Sequence, residues 1–278
     1  MPELPEVETV ANGVHARVHG QTITEVWTSN MPQTFKSTPK LIAKTLTGSR
    51  IERVHRVGKT IVVDLIGGPR STSRSQLLIH LGMTGRLLVS AAEIALPPHT
   101  HAVLTLSDGR QLRFVDARRF GRLSVIPPEE IASGGAYTGP GKEPLEIPLE
   151  DFIGLFRDRK TPIKAALLNQ ALLHGVGNIY ADESLFHAGI RPRRHAGRLT
   201  RSELTRLRDA LVRVLSHAIQ LGGSSVSDYV DADGVRGFFQ LEHRVYLRTG
   251  EPCLVCQTPI QRILLAGRGT HFCPTCQH

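Results

Sequence analysis

"IERVHRVGKTIVVDLI" (residues 51–66) sets the class of the first half of this chain. It alternates and is rich in Val and Ile, the period of a strand and not of a helix. Working outward, "GGPRSTSRSQ" (67–76) reads as a polar turn region and "LLIHLGMTGRLLVS" (77–90) as a second stretch of strand interrupted at "GMTG". "HAVLTLSDGRQLRFVD" (101–116) reads as a hairpin with Asp108-Gly109 at its turn, and "GRLSVI" (121–126) as another strand. Ahead of these lies "MPELPEVETV" (1–10), which reads as a helix start. Pro5 suits a first turn, Glu6 and Glu8 suit the positive end of the helix dipole, and Leu4, Val7, Val10, Ala11 and Val14 recur at helical spacing. That chemistry leaves Pro2 and Glu3, before the helix, unexplained.

The composition shifts near 127. "PPEEIASGGAYTGPGKEPLEIP" (127–148) is rich in Pro and Gly and reads as a linker. Helical patterns follow. "TPIKAALLNQ" (161–170) offers Thr161 as N-cap with Pro162 at the first helical position, and "NIYADESLFHAG" (178–189) offers Asn178 as N-cap and Gly189 as stop. "TRSELTRLRDALVRVLSHAIQLGG" (200–223) opens with a Thr200/Glu203 capping box and carries one stripe of Leu204, Leu207, Leu211, Val214, Leu215 and Ile219. The order is a β domain, a linker, a helical bundle and a small cysteine-bearing module.

The 278 residues are 40% hydrophobic, enough for a sizeable core, and no run of apolar residues is long enough to span a membrane. The first residues show neither a basic nor an apolar signal region, so a soluble cytoplasmic protein is expected. Lys plus Arg against Asp plus Glu is 34 − 25 = +9, a charge that suits a polyanion. All four cysteines stand in "CLVC" (253–256) and "CPTC" (273–276), sixteen residues apart. Two such knuckles supply four thiolates to one tetrahedral zinc, so Cys253, Cys256, Cys273 and Cys276 are expected to hold one structural ion. The rival, two disulfides, is disfavoured in a reducing compartment.

Two further features admit two readings each. Gly175, Gly177 and Asn178 in "LLHGVGN" form either a phosphate site at a helix N-terminus or an ordinary glycine turn between helices. In "HLGMTG" (80–85) and "DARRFG" (116–121), Met83 and Phe120 lie beside glycines, and Arg118-Arg119-Phe120 joins charge to an aromatic ring. They are either core side chains or the wedge of a protein that opens a duplex.

Taken together, "PELPEVE" (2–8), "GKTIVVDL" (58–65), "HLGMTG", "DARRFG", "GVGNIYADESLFHAGIRP" (175–192) and "GRGTHFCPTCQ" (267–277) resemble, from end to end, the formamidopyrimidine-DNA glycosylases, bacterial base-excision enzymes. The resemblance implies an α+β multidomain fold. It comprises an N-terminal catalytic β-sandwich with flanking helices (1–130), a linker (131–150), a helix–two-turn–helix domain with a lesion-capping loop (151–239), and a C-terminal β-hairpin zinc finger (240–278). It also implies a bifunctional glycosylase and abasic-site lyase acting on damaged double-stranded DNA as a monomer. With Met1 removed, the secondary amine of Pro2 would be the nucleophile. Glu3 would be the general acid, Glu6 a supporting carboxylate, Lys59 an acid near the lesion phosphate, and Arg268 the grip on the flanking phosphate. His80, Lys164 and Asn178 would contact phosphates, and His99, Arg118 and Lys160 would be further DNA-binding positions. Met83, Arg118 and Phe120 would fill the gap left by a flipped base, and residues 222–239 would close over that base. Ala117 stands where the family often has Pro, and Gly269 where it often has Ser or Ala, each expected to loosen its loop. Two rivals are a sister enzyme of the endonuclease VIII type, which removes oxidised pyrimidines and usually begins "PEGPE", and a catalytically silent DNA-binding protein. "PELPE" and "DARRFG" argue against the first, and intact Pro2, Glu3 and Lys59 against the second.

Overall fold

The structure is a computed structural model that describes residues 1–67, 73–225, 231–232 and 234–278. The chain forms two compact units, Met1–Thr138 with Gly222–Gly237, and Gly139–Leu221 with Phe238–His278. These cut the chain differently from the expected boundaries. Residues 222–237 go with the β-rich unit, and the cysteine-bearing tail goes with the helices.

The first unit starts with α1 (Leu4–Val18), whose Leu4, Val7, Val10, Val14 and Val18 are fully buried. Each such side chain contributes about 1.5–3 kcal/mol relative to exposure. There follow β1 (Ile23–Thr28), α2 (Pro39–Leu46), β2 (Ser49–Val57), β3 (Thr60–Gly67), β4 (Arg74–His80), β5 (Arg86–Ala91), β6 (Thr100–Leu106), β7 (Arg110–Val115), β8 (Arg122–Ile126) and α3 (Pro128–Ala132). Two four-stranded antiparallel sheets result, ordered β2-β3-β4-β8 and β1-β6-β7-β5. One core joins them: Ile61, Val63 and Leu65 from β3 and Ala102, Leu104 and Leu106 from β6 share a cluster with the buried face of α1. Alternate residues of β3 and β6 point into it, which is the period-two signal made physical.

Residues 51–66 are not one strand. Gly58 adopts φ +62°, a left-handed value that costs glycine little, and the pair Gly58-Lys59 turns the chain back so that Val57 faces Thr60. "GMTG" is likewise more than an interruption. The chain leaves the first sheet after β4 and enters the second at β5 through residues 81–85, then returns from β7 to β8 through 116–121. Because His80 pairs with Arg122 and Arg86 with Val115, these two sheet-switching loops lie at the same end of the sandwich.

The second unit holds α4 (Leu149–Phe156), α5 (Ile163–Leu167), α6 (Asn178–Ala188), α7 (Arg201–Gln220), β9 (Gln261–Leu265) and β10 (Arg268–Phe272). Helix α7 opens with the expected Thr200/Glu203 capping box, and Leu204, Leu207, Leu211, Val214 and Leu215 are buried. Arg194 pairs with Glu203 and pulls its carboxyl down to about 2. Two caps differ from expectation. Pro162, not Thr161, precedes α5, and Gly177, not Asn178, caps α6. Asn178 is the first helical residue, and its side-chain amide donates to the Gly269 carbonyl at 3.0 Å.

Candidate active site

The start of α1 is built around Glu6. Both Glu3 and Glu6 are buried, and one carboxylate oxygen of Glu6 accepts from the Glu3 amide at 2.8 Å. The other accepts from the Ser224 amide at 2.7 Å. One side chain therefore fixes the chain just after Pro2 and the root of the 222–239 segment, of which residues 226–230 and 233 lie outside the described residues. Gly223, at φ +80°, permits this approach, since a Cβ there would stand 2.8 Å from Glu6 Oε1.

Lys59 is braced to the same helix. Glu8 of α1 accepts from Arg56 Nε at 2.7 Å, and Arg56 Nη1 donates to the Gly58 carbonyl at 3.2 Å. The hairpin tip that carries Lys59 is thus tied to the N-terminal helix. His80 sits opposite Thr60 at the end of β4. Burial, then the charges of Lys59 and Arg122, hold its pKa below the ordinary value, so the ring is neutral near pH 7. Its Nδ1 accepts from the Gly82 amide at 3.1 Å, which places the ring proton on Nε2 as a donor.

Met83 and Phe120, 39% and 49% exposed, do not belong to the core. The Arg118 guanidinium lies 5.0 Å from the Phe120 ring centroid, within cation–π range. An exposed apolar and cationic ridge therefore rises from the two sheet-switching loops. His99, exposed at φ +66°, follows a loop whose carbonyls at Ala91, Ile94 and Ala95 are gathered by the buried guanidinium of Arg113.

In the second unit Arg268 is exposed just after a two-residue turn, Ala266-Gly267, with φ +48° and +73°. Lys160 is also exposed. Lys164 is not: it is 1% exposed and its ammonium lies 2.7 Å from Asp182, itself 0% exposed. It also donates to the Gly269 carbonyl (3.0 Å) and Thr270 Oγ1 (2.8 Å). Where the sequence suggested a phosphate contact, the structure shows a buried ammonium whose bonds to these partners hold the strand that carries Arg268. Asp182 also accepts from the His271 amide at 2.9 Å, and His271 Nδ1 lies 3.1 Å from it. Asp182 and His271 were missed in the sequence, where an acid inside a helix reads as surface. Gly269 does not leave an empty place, since Arg262 Nη2 comes within 3.0 Å of where its Cβ would be.

Removing one partner of a buried pair leaves the other charge uncompensated. Lys164→Met is therefore expected to destabilise the second unit by about 3–5 kcal/mol, and adding Asp182→Asn to recover at least half of the loss. Urea unfolding of the two variants checks this; a loss under about 1 kcal/mol for Lys164→Met would contradict the pairing.

The four cysteine sulfurs lie within 4.8 Å of one another. All four cysteines are free, and the sulfurs of Cys253 and Cys276 and of Cys256 and Cys273 stand 3.9 and 3.4 Å apart, against about 2.05 Å in a disulfide. Four thiolates about 2.3 Å from one ion would be about 3.8 Å apart, so the set fits a single tetrahedral zinc. The amides of Val255 and Cys276 point at the sulfurs of Cys253 and Cys273, orienting them as ligands.

Residues 1–123 match the formamidopyrimidine-DNA glycosylase N-terminal domain, 141–230 the H2TH domain of the same glycosylase, and 250–278 a zinc finger found in FPG and IleRS. The chain is 48% identical over 277 residues to the formamidopyrimidine-DNA glycosylase of Solibacter usitatus, covering 100% of this chain and 99% of that one. Among solved structures it resembles a Lactococcus lactis FPG mutant in complex with Fapy-dG containing DNA, at 34% identity, TM-score 0.89 and full coverage of both chains. It also resembles the MutM (FPG) protein of Thermus thermophilus, at 42% identity and TM-score 0.84, over 99% of this chain and 98% of that one.

Proposed function

Because the chain belongs to the formamidopyrimidine-DNA glycosylase family, we propose that it excises oxidised purines, 8-oxoguanine and formamidopyrimidines, from duplex DNA and then cleaves the strand. The observation that carries this reading is the start of α1. Glu3 and Glu6 are buried directly after Pro2, and the Lys59 turn is braced to the same helix through Arg56 and Glu8.

Once Met1 is removed, the Pro2 nitrogen is a secondary amine with a reference pKa near 8, against about 10.4 for Lys, so a useful fraction is neutral at physiological pH. Its lone pair attacks C1′ of the damaged nucleotide and the base departs with the glycosidic bonding pair. Glu3 delivers a proton to the ring oxygen, the sugar opens, and the nitrogen becomes an iminium. That cation draws electrons from the adjacent C2′–H bond, and successive β- and δ-elimination expel the two phosphates. Lys59 supplies a proton to a leaving phosphate, and Arg268 stabilises the second departure. Glu6 holds the terminal segment in place through the Glu3 amide.

Neutral His80, with its Nε2 proton, suits a phosphate oxygen. His99, Lys160, Asn178 and Arg268 complete the backbone contacts. The ridge of Met83, Arg118 and Phe120 fills the gap left by the flipped base. Arg118 offers only donors, so it pairs with the N3 and O2 acceptors of cytosine and meets a donor on adenine. Excision is therefore faster opposite C than opposite A. The reading includes a monomer acting in the bacterial cytoplasm; among the described residues no helix is long and apolar enough to cross a membrane.

Borohydride trapping on a duplex with one 8-oxoguanine opposite C tests the reading. A covalent adduct mapping to Pro2 is expected. No adduct from protein lacking Met1 would overturn it, and faster release of thymine glycol than of 8-oxoguanine would move the chain to the pyrimidine-type activity.

A further inference from the structure

The two sheet-switching loops share a buried anchor. Asp116 is 0% exposed, and no cation is bonded to its carboxylate among the described contacts. Its Oδ1 accepts from the Thr84 hydroxyl at 2.6 Å, and its Oδ2 from the Gly121 amide at 2.7 Å. Thr84 Oγ1 in turn accepts from the Arg118 amide at 3.2 Å. The Asp116 amide donates to the His99 carbonyl at 3.0 Å, and its own carbonyl lies 3.0 Å from His101 Nε2. Three segments thus converge on one residue: the loop with Met83, the loop with Arg118 and Phe120, and the turn with His99.

Their closeness leaves no slack. A Cβ on Gly82 would stand 2.5 Å from the Gly121 amide nitrogen, and one on Gly121 would stand 2.5 Å from the Phe114 ring. Backbone faces backbone across the two loops, and the Asp116–Thr84 pair sets their register. A hydroxyl donating to a buried carboxylate is among the stronger hydrogen bonds, and the carboxylate cannot be left short of donors without cost.

We propose that Asp116 and Thr84 are positioning residues that lock the Met83 loop and the Arg118–Phe120 loop into one rigid insert, and thereby set how strictly the base opposite the lesion is read. This rests on the ridge being the wedge of the proposed function. Thr84 is central because its one oxygen both donates to Asp116 and accepts from Arg118 N. Losing that oxygen frees the backbone of the residue whose guanidinium faces the partner base, while leaving the guanidinium itself intact. Discrimination by a donor array depends on its placement, so a loosened Arg118 accepts adenine more readily and cytosine less well.

The test is single-turnover excision of 8-oxoguanine opposite C and opposite A by wild type, Thr84→Val and Thr84→Ser. Valine keeps the branched shape and removes the hydroxyl; serine keeps the hydroxyl. The ratio of rates opposite C and A is expected to shrink by about tenfold in Thr84→Val and to be largely restored in Thr84→Ser. Melting temperature is followed alongside. Were Thr84→Val to fail to fold, Thr84→Ala carries the same comparison. A merely structural role would lower stability and both rates together and leave the ratio unchanged, and that outcome overturns the inference. So does a Thr84→Ser ratio no better than that of Thr84→Val. A wild-type protein that ignores 8-oxoguanine opposite C would instead defeat the proposed function.

Discussion

Protein that retains Met1 is expected to lose base excision and strand cleavage together, by at least about a hundredfold, and still to bind damaged duplex. An initiator methionine converts the Pro2 nitrogen into an amide. The lone pair that should attack C1′ is then delocalised into the carbonyl, and the C–N bond gains double-bond character. The methionine amine is no substitute. It is primary, and it lies one residue farther along a chain whose consecutive Cα atoms are about 3.8 Å apart. Misplacement by even 1 Å costs about a hundredfold in well-oriented reactions. In the structure Met1 is exposed while Pro2, Glu3 and Glu6 are buried, so the extra residue projects outward and leaves the carboxylates in place. Binding should survive because the proposed cationic contacts to phosphate lie elsewhere in the chain. Intact-mass spectrometry on each preparation, combined with single-turnover excision and fluorescence anisotropy, checks the expectation. Full excision by protein whose mass includes Met1 would eliminate Pro2 as nucleophile.

Much of this architecture was legible because local rules and tertiary demand agree. The period of two along β3 and β6, the Asp108-Gly109 turn and the Thr200/Glu203 box all read correctly. What escaped the sequence has physical reasons. Strand β1 buries only Ile23 fully, since it lies at the edge of its sheet, and shows no clean alternation. Helix α2 did carry a signal, Thr38 capping, Pro39 in the first turn and Ile42 and Leu46 one helical turn apart, but over only eight residues. Sheet switching at 81–85 and 116–121 is a property of strand pairing, which no window of sequence contains. The motifs holding Met83, Arg118 and Phe120 were visible, but not that Asp116 and Thr84 tie them together. Lys164 shows the same limit. Its charge is plain in the sequence, but its burial is decided by Asp182, eighteen residues away.

Removing the metal, or one ligand by Cys253→Ala, is expected to abolish zinc stoichiometry and to weaken DNA binding by about ten- to a hundredfold, with the first unit still folded. The base of the β9–β10 hairpin is closed by the knuckles, beyond the bonds that Lys164, Asn178 and Asp182 make to β10. The apolar cluster beneath it consists of Phe186, Val245, Ile260, Cys253 and Cys273, with Cys256 and Cys276 packed at its edge. Four of these seven residues are the ligands themselves, so losing the ion disperses most of the cluster. A module this small cannot bury enough apolar surface to fold unaided, whereas a structural zinc supplies about 10–16 kcal/mol near pH 7. Lys164, Asn178 and Asp182 hold Gly269, Thr270 and His271 of β10 from one side, and the knuckles that close the base of the hairpin depend on the ion. Arg268 then samples many orientations, and the charge-assisted contact to phosphate proposed for it is lost. The β-rich unit contains none of the four cysteines, so its ellipticity and unfolding transition should be unchanged. Elemental analysis should give one zinc per wild-type chain and none in the variant. Anisotropy titrations at several salt concentrations should show a shallower salt dependence for Cys253→Ala, because one fewer cation displaces counterions from the backbone. Active wild-type protein without zinc, or a variant with unchanged affinity and salt slope, would remove the ion from any part in holding Arg268.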